Sequence, residues 1–359
     1  MKKELLQAID EEQFDSVVLY RLPYQTDNQI IIGNSEKIYN GINMHHCMDN
    51  GFVIEPFDNT KSYGLFINNL FSASFQQLSE AHTHKLTPHF SISSEESFLF
   101  EDDYDSYERS FEQMHQAIKS GKIDKVILSR IKCGPGVKHE QIIPLYNALE
   151  QKYPHAFVYV FSSPFSGTWI GAGPELLLQQ RNNKLSTVSL AGTIPNSPGH
   201  SWSPKEYDEQ EMVTNYIEHV LIHHQVDKIE YGHAETIDAG QVKHLCTTFN
   251  FEFEKLNGNQ IGLLYDLHPT PAVCGMPKEE SYQLILNTES HQRQFYSGFL
   301  GPVNNGHYQF YVNIRCMQVL QSKTALFVGG GLTKDSECKK EWHETELKAQ
   351  TLLSVLKNI

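Results

Sequence analysis

The sequence has little that would suit a membrane protein, a zinc protein or a nucleic-acid-binding protein. Its six cysteines are isolated and form no CxxC pair, which argues against a zinc site and favours reduced thiols in the cytoplasm. We find no run of about 18 apolar residues and no signal-peptide pattern, so we expect neither a membrane span nor a leader. The net charge of −14 argues against nucleic acid, because phosphate binding needs clustered Lys and Arg.

Apolar residues, by contrast, are abundant and follow two periods. Of the 359 residues, 40% are hydrophobic and 11% are aromatic, which is enough for a large core. Alternation in segments such as SVVLYRL, DKVILSRI and AFVYVFSS predicts strands, and SPKEYDEQEMVTNYIEHVLIHHQ has the spacing of a helix capped by Ser203. Because strands and helices come in mixed blocks without βαβ alternation, the sequence predicts an α+β fold.

The composition of the chain changes near residue 100. Residues 1–100 predict a β-rich N-terminal part packed on the main domain, which residues 101–359 form. Within the main domain a helix is predicted from Ser106 to Gly121. The segment HYQFYVNIRCMQVLQSKTALFVGGG predicts a β-hairpin followed by a C-terminal helix.

Two ionisable residues beside predicted strands are candidates for acid–base chemistry. Lys125 begins the strand DKVILSRI, where it either reaches solvent or is partly buried in a neutral form that suits a base. Glu175 follows glycines and a proline in GAGPELLL, where it is either an ordinary turn residue or a carboxyl kept protonated in a dry pocket. Spacing alone does not decide between the two positions for either residue.

Two predicted helices carry glutamates whose role the spacing leaves open. Glu209 lies four residues before Val213 on the apolar face of its helix, so its carboxylate needs a metal, a cation or a proton. Near the C-terminus, Glu341, Glu344 and Lys348 cluster on one face of a helix. Glu344 and Lys348 form either a surface ion pair or part of a site, and spacing does not decide which.

Further candidates for binding groups lie in strands and loops. Arg315 lies in the strand pattern FYVNIRCM, which suits either a cross-strand ion pair or bidentate capture of a carboxylate. The run Gly329–Gly331 follows a strand, where it forms either an ordinary tight turn or a turn whose backbone N–H groups approach an anion closely. His268 lies in a proline-rich loop that could hold a substrate contact rigidly. The cluster MHHCM, residues 44–48, could bind a metal, but no second pair at ligand spacing supports it.

Taken together and in this order, the segments resemble the chorismate-utilising enzymes. The resemblance covers about residues 105–359 and rests on DKVILSR, GAGPELLL, LAGT, KEYDEQEMV, LHPTPAVCGMP, ESHQRQFYSGFLGPV, NIRC and FVGGGL…EWHETELK. It is nearest to the isochorismate synthases, in the lysine at position 125 and in HPTPA. Gln210 departs from the family, which commonly has histidine after the glutamate of its magnesium helix. The resemblance implies two stacked antiparallel β-sheets flanked by helices.

The resemblance also implies roles for individual residues. Lys125 is implied to be the base that deprotonates water, and Glu175 the acid that protonates the departing hydroxyl. Glu209 and Glu344 are implied to bind Mg²⁺, with Glu341 helping through a bridging water. The residues implied to contact the substrate are Gly192, His268, Arg315, Gly330, Gly331 and Lys348.

The implied activity is the Mg²⁺-dependent, reversible conversion of chorismate to isochorismate, without a redox cofactor. Water adds at C2, the C4 hydroxyl leaves and the double bonds shift. We expect the product to feed menaquinone biosynthesis, with a siderophore pathway as the alternative. The chain could also be a salicylate synthase, which goes on to eliminate pyruvate, an anthranilate-type enzyme or a chorismate-binding protein without activity. We expect a cytoplasmic monomer.

Overall fold

The structure is a computed structural model that describes residues 2–39, 49–94, 99–226, 228–239, 242–252 and 259–359. Within these ranges the helices are α1 (Lys2–Glu11), α2 (Glu80–Leu86), α3 (Tyr104–Lys119), α4 (His139–Lys152), α5 (Pro204–His223), α6 (Gln260–Leu267), α7 (Lys278–Thr288) and α8 (Cys338–Leu356). The strands are β1 (Ser16–Arg21), β2 (Gln29–Gly33), β3 (Ser35–Ile38), β4 (Asn50–Glu55), β5 (Gly64–Asn68), β6 (Phe71–Ser74), β7 (Lys125–Pro135), β8 (Phe157–Ser163), β9 (Gly167–Gly173), β10 (Leu176–Arg181), β11 (Lys184–Pro195), β12 (Glu230–Tyr231), β13 (Glu235–Ala239), β14 (Val242–Glu252), β15 (Gly275–Met276), β16 (Phe299–Asn304), β17 (His307–Val312), β18 (Cys316–Val319) and β19 (Lys323–Leu332).

The strands form two antiparallel sheets that pack face to face. Sheet 1 has the order β15-β7-β19-β18-β9-β8-β1-β2-β6, and sheet 2 has the order β12-β14-β11-β10-β17-β16-β4-β5-β3, with β13 also paired to β14. Apolar side chains from both sheets fill the layer between them, where the ring of Phe157 stacks on that of Tyr311 with centroids 4.3 Å apart. The predicted α+β fold of two stacked antiparallel sheets is confirmed.

Helices cover the outer faces of the sheets. Leu5 of α1, Leu149 of α4 and Leu352 of α8 are buried in one cluster on sheet 1. Ile217 of α5 and Leu264 of α6 are buried in a second cluster on sheet 2. Many central strands are therefore buried on both faces, which explains why their sequences are apolar throughout rather than alternating. None of the helices in the described part of the chain is long and apolar enough to cross a membrane.

The N-terminal strands extend both sheets. β1 pairs with β8 in sheet 1, and β4 pairs with β16 in sheet 2. The hydrogen-bonded sheets thus run across the predicted boundary near residue 100, and the division into 1–100 and 101–359 stays a prediction. Alternation in this region predicts strands but not α1, although Leu5, Ala8 and Ile9 are buried at helical spacing.

The helix predictions in the main domain are confirmed. α3 ends at Lys119, and Gly121 has a φ of +76°, the left-handed conformation that glycine adopts easily after a helix. α5 begins at Pro204 after Ser203, whose backbone N–H donates to Oε2 of Glu206 at 2.9 Å. This capping contact sets the start of the helix that carries Glu209.

The predicted hairpin over residues 307–331 is wrong in one respect. β18 and β19 do form a hairpin in sheet 1, but β17 belongs to sheet 2. The chain crosses between the sheets around Arg315, which has a φ of +54° and lies before β18 rather than within a strand. Gly329–Gly331 likewise lie inside β19 and do not form the expected turn. Alternation shows that a segment is extended, but not which sheet it joins.

Candidate active site

A cavity of about 70 Å³ lies where both sheets meet helices α5 and α8. Its walls come from β7 and β19 of sheet 1, from β11 and β14 of sheet 2, from the two helices and from loops. The predicted residues that line it are Glu175, Gly192, Glu209, Arg315, Gly330, Gly331, Glu344 and Lys348.

Lys125 lies just behind the cavity wall. It begins β7, its side chain has no exposed surface, and its Nζ is 2.7 Å from Oε1 of Glu209. The contact is an ion pair without well-aligned hydrogen-bond geometry. This placement excludes a solvent-exposed position for Lys125.

Glu209 connects Lys125 with the cavity. Its side chain is 16% exposed and projects from α5 into the lining. Burial is the largest single influence and would raise the pKa of this carboxyl, but Lys125, Lys348 and Lys205 together lower it. A Cβ on Gly331 would lie 2.9 Å from Oε1 of Glu209 and 3.0 Å from Cε of Lys125. The contact between Lys125 and Glu209 therefore depends on a glycine, which has no side chain, at position 331.

Glu175 is a buried acid that enters the cavity from sheet 2. It lies immediately before β10 and is 2% exposed. Thr270 Oγ1 is 3.4 Å from its Oε1, which is a long hydrogen bond. Burial raises the pKa of Glu175 to about 7, although Thr270 and the positive charges of Lys125 and Arg315 act in the opposite direction. A substantial fraction of this carboxyl is therefore protonated at neutral pH.

Helix α8 brings two carboxylates and a lysine to the site. Lys348 Nζ is 2.6 Å from Oε1 of Glu344 and donates to the Gly329 carbonyl at 2.9 Å, so the pair joins the cavity wall. Glu341 is 3% exposed and accepts a hydrogen bond from Ser336 at 2.7 Å. Burial and the negative charge of Glu344 raise the pKa of Glu341 to about 7.

Glu209 and Glu344 carry carboxylates, the type of ligand that Mg²⁺ prefers. Burial raises the pKa of the neighbouring Glu341, and the charges of Glu344 and Glu209 act in the same direction. Across the described ranges, no group of three or more His, Cys, Asp or Glu side chains is arranged to hold a metal ion. Mg²⁺ is commonly held by one or two carboxylates, with water and substrate as its other ligands. Glu209 and Glu344, which both line the cavity, satisfy that requirement.

Arg315 offers an unused donor to the cavity. Its Nη2 is 3.0 Å from Nε2 of His244, whereas its buried Nη1 has no hydrogen-bond partner among the described residues. Burial lowers the pKa of His244 well below 6.5, so the imidazole is neutral. Its Nε2 can then accept from Arg315 while Nδ1, 3.1 Å from the Gly192 carbonyl, donates. An orphaned guanidinium N–H suits a substrate carboxylate.

Sheet 1 opens beside the glycine run. β19 pairs with β18 only as far as Phe327, whereas its pairing with β7 continues to Leu332. One backbone edge of Gly329–Gly331 therefore has no strand partner on the β18 side and borders the cavity. Amides on that edge can approach an anion closely. The glycine run could therefore bind an anion as expected, although from a strand edge and not from a turn.

His268 is the predicted residue that the structure does not bring to the others. Its ring packs edge-on against Phe299 with centroids 5.1 Å apart, and burial lowers its pKa to about 3. Ala272 and Val273 of the same loop line the cavity instead. The loop therefore reaches the site through apolar residues and through Thr270, which contacts Glu175.

Two titratable side chains of the cavity lining were not predicted from the sequence. His244 and Tyr296 line the cavity, and the available signal was a histidine within the apolar strand VKHLCTTF. Gln210, which departs from the family pattern, is buried and binds the backbone of β11 through Ala191 N–H at 2.8 Å and the Ser189 carbonyl at 3.1 Å. It thus holds α5 on sheet 2. The cluster MHHCM, residues 44–48, lies outside the described residues.

The chain matches known proteins over most of its length. The family model described as "Chorismate binding enzyme" matches residues 57–357. Isochorismate synthase EntC of Escherichia coli (strain K12) is 27% identical over 324 residues, which cover 84% of this chain and 79% of EntC. The structure of MenF, the menaquinone-specific isochorismate synthase from Escherichia coli, has a TM-score of 0.77 at 19% identity, covering 98% of this chain and 91% of MenF.

A second solved structure is equally similar in fold. DhbC from Bacillus anthracis also has a TM-score of 0.77, at 24% identity, and the match covers 98% of this chain and 99% of DhbC. The two sheets and their helices are thus shared with both neighbours. The family model spans the strands and helices that carry the cavity, from before β7 to the end of α8. This chain belongs to the family of chorismate-binding enzymes.

Proposed function

We propose that the protein is an isochorismate synthase that converts chorismate to isochorismate. The observation that carries the proposal is that one site holds both a buried lysine, Lys125, and a buried carboxyl, Glu175, whose pKa is raised to about 7. Adding water at one ring carbon and expelling hydroxide from another needs a base and an acid at the same time. The similarity to EntC, an isochorismate synthase, supports this reaction.

Lys125 is proposed to take the proton from the attacking water. A lysine that accepts a proton must first be neutral, and an ammonium held by a carboxylate is not free to act as a base. Nζ of Lys125 is 2.7 Å from Oε1 of Glu209. Catalysis by Lys125 therefore requires that Glu209 take another partner, and Glu209 faces the cavity where such a partner can bind.

Glu175 is proposed to protonate the C4 oxygen, so that water leaves rather than hydroxide. The C2–O bond forms as the C4–O bond breaks, and the ring double bonds shift between them. One proton moves from the attacking water to Lys125 and one from Glu175 to the leaving oxygen. Because one C–O bond replaces another, we expect a freely reversible reaction.

The remaining cavity residues are proposed to hold the substrate's two carboxylates. The free Nη1 of Arg315 and the amides near Gly330 and Gly331 would bind the enolpyruvyl carboxylate. Glu209 and Glu344 would hold Mg²⁺, which supplies positive charge for the ring carboxylate when bound, and Glu341 would support it from nearby. Lys348 adds a further positive charge at this wall.

The test is a product assay on the purified protein. With chorismate and Mg²⁺ we expect isochorismate by chromatography and none after a chelator is added. Equimolar pyruvate release would indicate a salicylate synthase, and an aminated product with added ammonia would indicate an anthranilate-type enzyme. Calorimetric binding of chorismate without any product would contradict the proposed activity.

We propose menaquinone biosynthesis as the pathway, with a siderophore pathway as the alternative.

A further inference from the structure

A buried arginine behind the cavity wall donates hydrogen bonds from all three of its guanidinium nitrogens. Arg293 is 4% exposed. Its Nε and Nη2 donate to the two carboxylate oxygens of Glu289 at 2.8 and 2.6 Å, in a fork arrangement. Its Nη1 donates to the Val273 carbonyl at 2.8 Å, and its Nη2 also donates to the Ile127 carbonyl at 2.9 Å. One guanidinium thus joins three separate segments of the chain.

The segments that Arg293 joins are walls of the cavity. Ile127 and Val273 both line it, the first from β7 and the second from the loop that also carries Thr270. The guanidinium lies 5.7 Å from the ring centroid of Tyr296, a third lining residue. Arg293 itself is not part of the lining, so any effect on a bound substrate passes through these neighbours.

Glu289 extends the same connection along β7. Its Oε1 accepts from the backbone N–H of Ser129 at 2.7 Å and from the Ser129 hydroxyl at 2.9 Å. Ser129 and Ile127 lie on the strand that begins with Lys125. The Arg293–Glu289 pair therefore joins β7 to the loop of residues 268–274, called the 273 loop below. It does so beside the backbone hydrogen bond that Ile127 N–H donates to the Cys274 carbonyl at 2.8 Å.

A different side chain could not make these contacts. An ammonium in place of the guanidinium is a point charge and cannot reach a carboxylate and two carbonyls in one plane. Removing either member of a buried pair leaves the other charge without compensation.

We propose that Arg293, held by Glu289, is a positioning residue that sets the separation of β7 and the 273 loop and thereby the fit of the substrate. It acts through Ile127 and Val273 and does not touch the substrate. The inference rests on the proposed function, because it takes chorismate as the molecule that the cavity binds.

The experiment compares Arg293→Lys with a matched control, Arg21→Lys. Arg21 is also buried, is 3.9 Å from Glu150, and donates to the carbonyls of Tyr153 and Pro154, away from this cavity. The chorismate Kd is measured by calorimetry and the KM by isochorismate formation, with circular dichroism melts to confirm folding. Because a small misplacement of wall residues weakens binding strongly, we expect R293K to raise Kd and KM by about 10- to 100-fold.

We expect R21K to lower the melting temperature, because both variants lose hydrogen bonds of a buried guanidinium. Kd and KM should stay within about twofold of wild type in R21K, because Arg21 lies away from the cavity. Glu289→Asp, which keeps the charge but shortens its reach, should raise Kd in the same direction as R293K. If R293K or E289D melts lower but keeps Kd and KM within about twofold of wild type, the role is structural only and the inference is overturned. If the wild type binds chorismate without turnover while R293K weakens binding, the proposed function fails and the positioning role stands.

Discussion

In the proposed reaction, two buried residues need opposite protonation states. Lys125 would have to lose its proton before it acts, whereas Glu175 would have to keep its proton. Burial raises the pKa of Glu175 to about 7, so this carboxyl can hold a proton near neutral pH. The acid of the proposed pair therefore owes its protonation to its burial.

Replacing Lys125 by methionine tests the base. The substitution keeps the buried aliphatic stem but removes the amine, so turnover should fall by at least about 100-fold, the usual contribution of a general base. Chorismate binding, measured by calorimetry, should remain detectable because Arg315 and the glycine strand are unchanged. Turnover within tenfold of wild type would rule out Lys125 as the base.

Glu175 should set the upper pH limit of the reaction. With its pKa raised to about 7, the carboxyl loses the proton that it donates as the pH rises through 7, so kcat should fall above that pH. Glu175→Gln should lose activity at every pH. A wild-type kcat that stays constant from pH 6 to 9 would contradict the assignment.

The same residue should reduce stability at high pH. The unfolded carboxyl ionises near 4.5 and the folded one near 7, so the folded state binds more protons between these values and loses stability as the pH rises through that window. Above pH 7 the penalty is constant. We therefore expect E175Q to be more stable than wild type at pH 8, by about 1–3 kcal/mol, and equal to it near pH 4. Urea titrations at both pH values would measure the difference.

At the scale of elements, β19 allows the helices to approach the sheet. Its glycines leave space for side chains that arrive from α5 and α8. A Cβ on Gly330 would lie 3.5 Å from Oε2 of Glu341, which is ordinary contact, whereas one on Gly331 would lie 2.9 Å from Oε1 of Glu209. A side chain would therefore fit at Gly330 but would collide with Glu209 at Gly331.

This difference provides a matched pair of variants. Gly331→Ala should force Glu209 and Lys125 apart and lower kcat/KM by at least about 10-fold, because catalytic groups tolerate little displacement. Gly330→Ala should retain most activity. Both proteins should fold, since alanine is allowed in a strand, and a melt would verify this. Equal kinetics for the two variants would show that the contact at Gly331 is unimportant.

Helix α8 is fixed to β7 by contacts outside the cavity. The guanidinium of Arg130 lies 3.7 Å from the ring centroid of Trp342, and its Nε donates to Thr345 at 2.8 Å. Arg130 also pairs with Glu346. Because Thr345 directly follows Glu344, these contacts of Arg130 fix the position of the Glu344 carboxylate relative to β7.

At the scale of the whole molecule, the candidate metal site joins α5 to α8. Glu209 and Glu344 come from helices that pack on different sheets. Burial raises the pKa of Glu341 beside them to about 7, and the negative charges of Glu344 and Glu209 add to that effect. An ion that bridges the helices should therefore stabilise the entire fold.

Mg²⁺ should raise the melting temperature without substrate. At a concentration 100 times its Kd, an ion that binds only the folded state adds about 2.7 kcal/mol of stability. The double substitution Glu209→Gln with Glu344→Gln should abolish the shift, and a chelator should reverse it in the wild type. An unchanged melting temperature at saturating Mg²⁺ would exclude a bridging site.

Much of the architecture follows from local pattern. The helical spacing around Val213 and the cap at Ser203 predict α5, and the inward position of Glu209 predicts a carboxylate that needs a positive partner. The position of Arg315 was harder to predict, because a residue at a crossing between sheets has the same alternation as one within a strand. His268 shows the reverse problem, since a rigid loop can turn a polar residue away from the site.

Local sequence pattern predicts most of the helices and strands, with α1 and the glycine run as exceptions, and it identifies the side chains that would be costly to bury alone. These properties depend on neighbours within a few residues. Tertiary structure alone decided that Lys125 meets Glu209, that Arg315 meets His244 from 71 residues away, and that Gly329–Gly331 form an open strand edge. Such contacts depend on strand register and on the packing of helices against sheets, which no local pattern specifies.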